Sequence, residues 1–281
     1  MTTTTSMGTM TGGLGGTAPS APPPARISAR RTVRHSLTLA WRNIAQLRHS
    51  PEKLLDVLLM PLVFLTLFLY VFGGAVSGNT HAYLQQLLPG LVAQMAMFAT
   101  MGLGTALSED IRKGVFDRFR SLPIARSAPL IGTVLGDTVR FLTVMVVLTV
   151  AGTALGFRFG SDPLRVLAGF ALAYLFYMAF SWISVVVGLL APSPESVQGL
   201  AFIFVMPLTF GSSVFVANTG TMPGWLQAWT KVNPVSHLAD SLRALLVGGP
   251  VGDHVWYTLA WAIGIVTVTF PIAMRMYARR A

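Results

Sequence analysis

Residues Val57–Ser108 read VLLMPLVFLTLFLYVFGGAVSGNTHAYLQQLLPGLVAQMAMFATMGLGTALS, 52 positions without one Asp, Glu, Lys or Arg. A hydrocarbon layer is crossed by about 20 apolar residues, so this tract holds two crossings with a Gly-Gly break at Gly73-Gly74 between them. Uncharged tracts of the same kind run from Val166 to Pro194 and from Ser196 to Thr230. Over the whole chain 53% of residues are hydrophobic and only 11% charged, against about a quarter charged in a soluble domain. The fold class is therefore all-α and integral to a membrane. There are no cysteines, which excludes a disulfide framework and a Cys-based metal site.

Six spanning helices are expected: Asp56–Phe72, Leu87–Leu107 with Pro89 in its opening turn, Leu130–Leu155, Leu164–Leu190, Val197–Ala217 and His254–Met274. An uncharged external loop at 75–86 joins the first two. Of the 20 basic residues, 15 lie in three clusters beside these helices: Arg26 to Lys53, Arg112 to Arg126, and Arg275 to Arg280. By the positive-inside rule those clusters, and hence both termini, are cytoplasmic. The same placement argues against nucleic acid as a partner, because no soluble module carries a basic face.

Residues 1–31 are expected to be a disordered cytoplasmic tail and 32–281 the membrane domain. From Thr32 to His49 the residues Val33, Leu37, Trp41, Ile44 and Leu47 recur every three or four positions among arginines, as in an interfacial helix on lipid. Between the second and third spans lies Ser108–Arg126, in which Ile111, Val115, Phe119 and Leu122 form one helical stripe. Its mixed charges, Glu109, Asp110 and Asp117 among arginines, favour a protein partner over a lipid surface. Between the fifth and sixth spans, residues 218–253 are too apolar for a plain loop and too charged for a crossing. One or two short helices dipping into the outer leaflet satisfy both constraints, with Asn233 capping the helix that Pro234 starts and Trp225 and Trp229 at headgroup depth.

Within the spans, Asp137 and Arg140 stand three apart and pair on one face of the third helix; a coupling role and a purely structural one are both open. Pro207 within the fifth helix predicts a kink or a locally unwound turn that could widen a cavity, with Phe202, Met206 and Phe210 around it, apolar surface suited to a bulky ligand, to packing or to lipid. No catalytic or metal-binding residue and no cofactor is expected on this chain. A P-loop needs Gly before its Lys, and the three lysines follow Glu52, Arg112 and Thr230. A proton-driven transporter needs a titratable group at mid-membrane, whereas His81, His237 and His254 fall in or beside external segments.

The chain resembles the six-helix permease subunits of ABC-2 type exporters, especially the actinobacterial daunorubicin/doxorubicin-resistance permeases. The likeness is carried by Ser50-Pro51, by Glu109–Arg126 with Gly114, Phe119, Leu122 and Pro123, and by Arg140. It continues through Gly156-Phe-Arg-Phe159, Glu195-Ser-Val-Gln-Gly199, Asn233-Pro-Val-Ser236, Arg243 and Gly248-Gly249-Pro250. What the resemblance implies is a multi-pass permease of the bacterial cytoplasmic membrane that moves a drug, antibiotic or lipid-like molecule outward. ATP and Mg would be bound by a separately encoded ATPase, and a second copy of the permease would complete the exporter. Glu109, Ile111, Gly114, Val115, Phe119 and Leu122 would lie on the coupling helix seated in the ATPase. A secondary transporter driven by an ion gradient and a membrane scaffold that transports nothing are the alternatives.

Overall fold

The computed structural model describes residues 51–114, 128–216, 218, 220 and 222–280. The expected tail at 1–31 and interfacial helix Thr32–His49 lie outside the described residues. Among the described residues there are eight helices and no strand: α1 Pro51–Ser77, α2 Thr80–Arg112, α3 Ala128–Ala154, α4 Pro163–Leu190, α5 Pro194–Phe210, α6 Gly224–Val232, α7 Pro234–Leu246 and α8 His254–Arg280. Five of them, α1, α2, α3, α4 and α8, are long and apolar enough to cross a membrane.

α2 is the helix on which α1, α3, α4, α5 and α7 pack, while α8 packs on α4 and α7. Its 33 residues extend about 50 Å at 1.5 Å per residue, well beyond the roughly 30 Å of hydrocarbon. Of its most apolar window 83% is buried within the chain, against 22% for α1 and 17% for α8. Small residues make this possible: Gly90, Ala93, Ala96, Ala99, Gly102 and Gly104 let neighbouring backbones approach. The outward faces of α1 and α8 carry Leu59, Leu67, Tyr70, Trp256, Ile263 and Val268 exposed, apolar surface that in a membrane faces lipid chains.

Several expected boundaries are corrected. α1 runs through Gly73-Gly74 to Ser77, and α2 begins at Thr80, so the expected loop at 75–86 shrinks to Gly78 and Asn79. Asn79 stops one helix and starts the next, its Oδ1 accepting from Ala82 N at 2.6 Å. Gly73 is tolerated because α2 needs the space: a Cβ there would stand 3.0 Å from Thr80. Pro89 consequently lies well inside α2 instead of in its first turn. At the other end α2 continues to Arg112, and the chain turns only at Gly114, whose φ is +65°. Glu109–Arg112 are thus the last turn of a spanning helix and not the start of a separate one. Finally, α5 is a 17-residue helix ending at Phe210, where Gly211 N bonds Pro207 O at 3.0 Å. Residues 211–216 continue without helix, shortening the expected span of Val197–Ala217. α8, in contrast, runs to Arg280, past the expected end at Met274.

The other boundaries follow the expected chemistry. α3 ends in a glycine cap, with Gly156 at φ +106° and Phe157 N bonding Gly152 O at 2.8 Å. Asn233 Oδ1 accepts from Val235 N at 2.9 Å and Pro234 opens α7. The packed interior divides into two apolar clusters along the bundle. One gathers Leu91, Phe141, Phe176, Phe180 and Val214; the other gathers Leu103, Leu107, Val134, Trp182 and Tyr277.

Candidate functional site

Two polar nodes are attached to α2, and both consist of arginines reaching backbone carbonyls of other elements. The first sits where the two apolar clusters meet. Arg140 Nε lies 3.1 Å from Asp137 Oδ1 one turn away on α3, the pair expected from their spacing. The structure adds partners on both sides: Arg140 Nη2 donates to Ala99 O of α2 at 2.6 Å, and Tyr177 of α4 donates to Asp137 Oδ2 at 2.6 Å. Gly102 supplies the room, since a Cβ there would stand 2.4 Å from Arg140 Nη2. Tyr177 is held by stacking on Phe141, ring centroids 4.4 Å apart. The pair therefore ties three helices together. With side-chain exposures of 24% and 14%, neither charge has enough water to stand alone, and each is compensated by the other and by a fixed dipole.

Next to it, the Ser184 hydroxyl from α4 donates to Thr100 O and accepts from Gly104 N at 3.1 Å. Thr100 and Gly104 are an i, i+4 pair, so the hydroxyl bridges one rung of α2's own ladder. The helices can cross this closely because Gly188 faces Gly104, where a Cβ would meet Gly104 O at 2.7 Å.

The second node holds the opposite end of the bundle. Arg243 of α7 pairs with Asp240 at 2.7 Å and donates to Ser213 O at 2.5 Å, Val214 O at 2.8 Å and, through Nε, Gln86 O of α2 at 3.1 Å. The irregular segment after α5 would otherwise bury these carbonyls without donors. Ser213 Oγ completes the ring by donating to Asp240 Oδ1 at 2.9 Å, and Asn233 Nδ2 donates to Leu208 O at 2.8 Å. Gly90 gives the segment its seat on α2: a Cβ there would stand 2.3 Å from Val214 O. Beyond it, His237 Nδ1 faces His254 Nδ1 at 3.2 Å. Burial, and secondarily the neighbouring His254, hold the His237 imidazole below its ordinary pKa.

The remaining candidate residues are scattered. Glu109 pairs with Lys113 at 3.2 Å, and half-buried Ile111 packs on the second apolar cluster. Val115, Phe119 and Leu122 lie outside the described residues. Arg112 lies 3.9 Å from Glu195 at the start of α5, which puts these two turns at the same end of the bundle. A hydrogen bond from Ser193 and the backbone, with a smaller contribution from Arg112, holds the Glu195 carboxyl below its ordinary pKa. On α5, Phe202 is exposed, Met206 half-buried and Pro207 exposed. Phe210 alone of that set joins a ring cluster, stacking on Phe215 at 5.4 Å. Sequence reasoning missed the roles of Ser184 and Tyr177, for which α4 offers no local signal. It also left Arg243 without a role, although a lone arginine on an apolar hairpin was such a signal.

Comparison with known proteins places these features in a lineage. Residues 34–247 match the model of the family described as ABC-2 type transporter. The daunorubicin resistance ABC transporter permease protein DrrB1 of Streptomyces coeruleorubidus is 40% identical over 257 residues, covering 92% of this chain and 89% of the relative. The probable doxorubicin resistance permease DrrC of Mycobacterium tuberculosis is 24% identical over 259 residues, 92% and 93% of the two chains. The probable multidrug ABC transporter permease YbhR of Escherichia coli is 29% identical over 203 residues, 69% of this chain and 52% of that one. With five helices long and apolar enough to cross a membrane and a family match spanning most of its length, the chain is a multi-pass membrane protein of the ABC-2 type transporter family.

Proposed function

We propose that this chain is the permease subunit of an ATP-driven exporter, that a separate chain hydrolyses the ATP, and that the cargo is a hydrophobic or amphipathic molecule of the drug or antibiotic kind. The carrying observation is the family match over residues 34–247 on a chain with no phosphate-binding loop. The drug-resistance names of its relatives support the cargo class. In this reading both termini, the 108–126 segment and the α4–α5 turn are cytoplasmic, α5 completes a six-helix layout, and α6 and α7 dip into the outer leaflet. The Arg112–Glu195 contact and the crowding of basic residues at that end support the orientation. Two permeases and two ATPases form the exporter in the bacterial cytoplasmic membrane, with ATP and Mg on the ATPase. Residues 109–122 couple to it through Ile111, Val115, Phe119 and Leu122, with Glu109 and Gly114 at the entry to the turn.

The chemistry required of such a subunit is mechanical. ATP-driven closure of the ATPases displaces the cytoplasmic end of α2, and α2 packs against α1, α3, α4, α5 and α7, while α8 packs on α4 and α7. Purification of the permease from its native membrane tests the reading. A stoichiometric ATPase should copurify, and Phe119→Ala should release it or uncouple export from hydrolysis while insertion persists. A permease that purifies without any ATPase and moves cargo only when an ion gradient is imposed would falsify the assignment.

A further inference from the structure

Past the Arg243 node, two histidines from different helices meet edge to edge. His237, buried in the first turn of α7, presents its Nδ1 to the Nδ1 of His254, the exposed first residue of α8, at 3.2 Å. The ring centroids are 5.5 Å apart, so the two nitrogens occupy the facing edges of both rings. The residues stand 17 positions apart in the sequence, and no local motif announces them. One step further along the same seam, Ser241 Oγ lies 3.4 Å from Thr258 Oγ1. His237 to Ser241 and His254 to Thr258 are both steps of four, which keeps each pair on one helix face. The meeting is therefore set by the register of α7 against α8 and not by one rotamer. Tyr257 of α8 lies against the His237 ring, centroids 5.0 Å apart. The other groups that act on His237 are Asp240, one turn along α7 and paired with Arg243, and the backbone of Lys231 on α6.

We infer that His237 and His254 form a two-histidine site for a divalent transition-metal ion of the zinc kind, whatever the chain exports. Zn2+ holds imidazole nitrogens at about 2.0–2.1 Å in a tetrahedral shell, which sets two such ligands about 3.3 Å apart. The 3.2 Å between the two Nδ1 atoms matches that separation. His254, being exposed, gives the ion its entry and is the ring able to tilt until both lone pairs converge. Imidazole binds metal only when neutral, and burial already disfavours the charged form of His237. Without metal, one Nδ1–H donates to the other Nδ1; with metal, that ring carries its proton on Nε2 instead, and no proton is lost. Among the described residues no third His, Cys, Asp or Glu joins the group, so water completes the shell. Such a site exchanges its ion, unlike a structural centre closed by four protein ligands. Imidazole ligands also select against Mg2+ and Ca2+, which take oxygen. The ion would fasten α8 to a helix, α7, that Arg243 already fastens to α2.

The test uses the full-length permease in detergent, purified without a polyhistidine tag and stripped of metal, with Zn2+ alone as the probe. Competition against a fluorescent zinc indicator reads binding, and tryptophan fluorescence reads melting. Saturable binding of one Zn2+ per chain should raise the melting temperature, and Mg2+ should not. His254→Ala, at an exposed position, should fold normally and weaken binding about 10–100-fold, since losing a ligand costs at least what losing a ligand's supporting contact costs. His254→Cys, which exchanges one zinc ligand for another, should regain the affinity. Acidification should weaken binding by charging the rings. Binding by His254→Ala within about twofold of wild type overturns the site and assigns the zinc to other residues. Equal melting shifts from Mg2+ and Zn2+, or a His254→Cys variant no better than His254→Ala, overturn it as well. All three results leave the exporter reading standing.

Discussion

Replacing Arg243 by lysine preserves the charge and removes the fork, and the structure sets what that difference is worth. The guanidinium reaches Asp240, Ser213 O, Val214 O and Gln86 O from three nitrogens, at 2.7, 2.5, 2.8 and 3.1 Å. An ammonium is a single donor atom on a flexible stem; holding Asp240, it cannot also span carbonyls on α2 and on the segment after α5. At least two charged hydrogen bonds are lost, each worth about 1.5–3 kcal/mol. Partial access of solvent to Asp240, 28% exposed, returns some of that, and about 2–4 kcal/mol is the expected loss of stability. Methionine should cost more, about 3–5 kcal/mol, because Asp240 is then left uncompensated. Thermal unfolding of the detergent-solubilised protein, followed by tryptophan fluorescence, measures both, Trp225 and Trp229 reporting from the hairpin itself. Equal melting temperatures for Arg243→Lys and wild type would refute the claim that the fork holds the segment after α5 onto α2.

Asp137→Asn should lower folding yield or transport by leaving Arg140 with only Ala99 O for a partner, and adding Arg140→Gln should restore part of the loss. Transport in inverted vesicles with ATP, with and without a protonophore, checks this; dependence on the gradient with no rescue would revive a proton relay. Gly90→Ala should cripple assembly, since its methyl would collide with Val214 backbone, and a normal yield of stable protein would contradict the seating of that segment. Acidification should loosen the hairpin: His237 has a folded pKa below its ordinary 6.5, so the stability it contributes is whole above 6.5 and is lost as pH falls toward the folded value. The fall in melting temperature between pH 7.5 and 5.5 should shrink in His237→Gln, and an unchanged fall would remove the histidine pair from the account.

Much of the helical skeleton was legible because caps and uncharged runs are local. Asn233-Pro234 announced α7, Gly156 closed α3 near its expected end, and the start of α4 at Pro163 was placed within one residue. The errors arose where a local stop signal is overridden by packing. Gly73-Gly74 reads as a break, yet α1 passes through it because Thr80 presses against that face. Glu109 and Asp110 read as the start of an extramembrane helix, yet the same helix simply leaves the membrane. Of the site, Asp137 and Arg140 were visible as a pair. Their ties to Ala99 and Tyr177 were not, because periodicity along one segment carries no information about a carbonyl some 40 residues away.

The Ser184 bridge has a mechanical corollary. A hydroxyl that bonds both a helical carbonyl and the amide four residues on is a side-chain insertion of the kind at which long helices bend. In α2 this happens between Thr100 and Gly104, beside the carbonyl that Arg140 grips and between the two apolar clusters. In the proposed exporter a displacement delivered at Arg112 would act about 12 Å from this level, eight residues at 1.5 Å each. A bend there would be shared with α3 and α4 through Arg140 and Ser184, while the part of α2 held by Arg243 would keep its place.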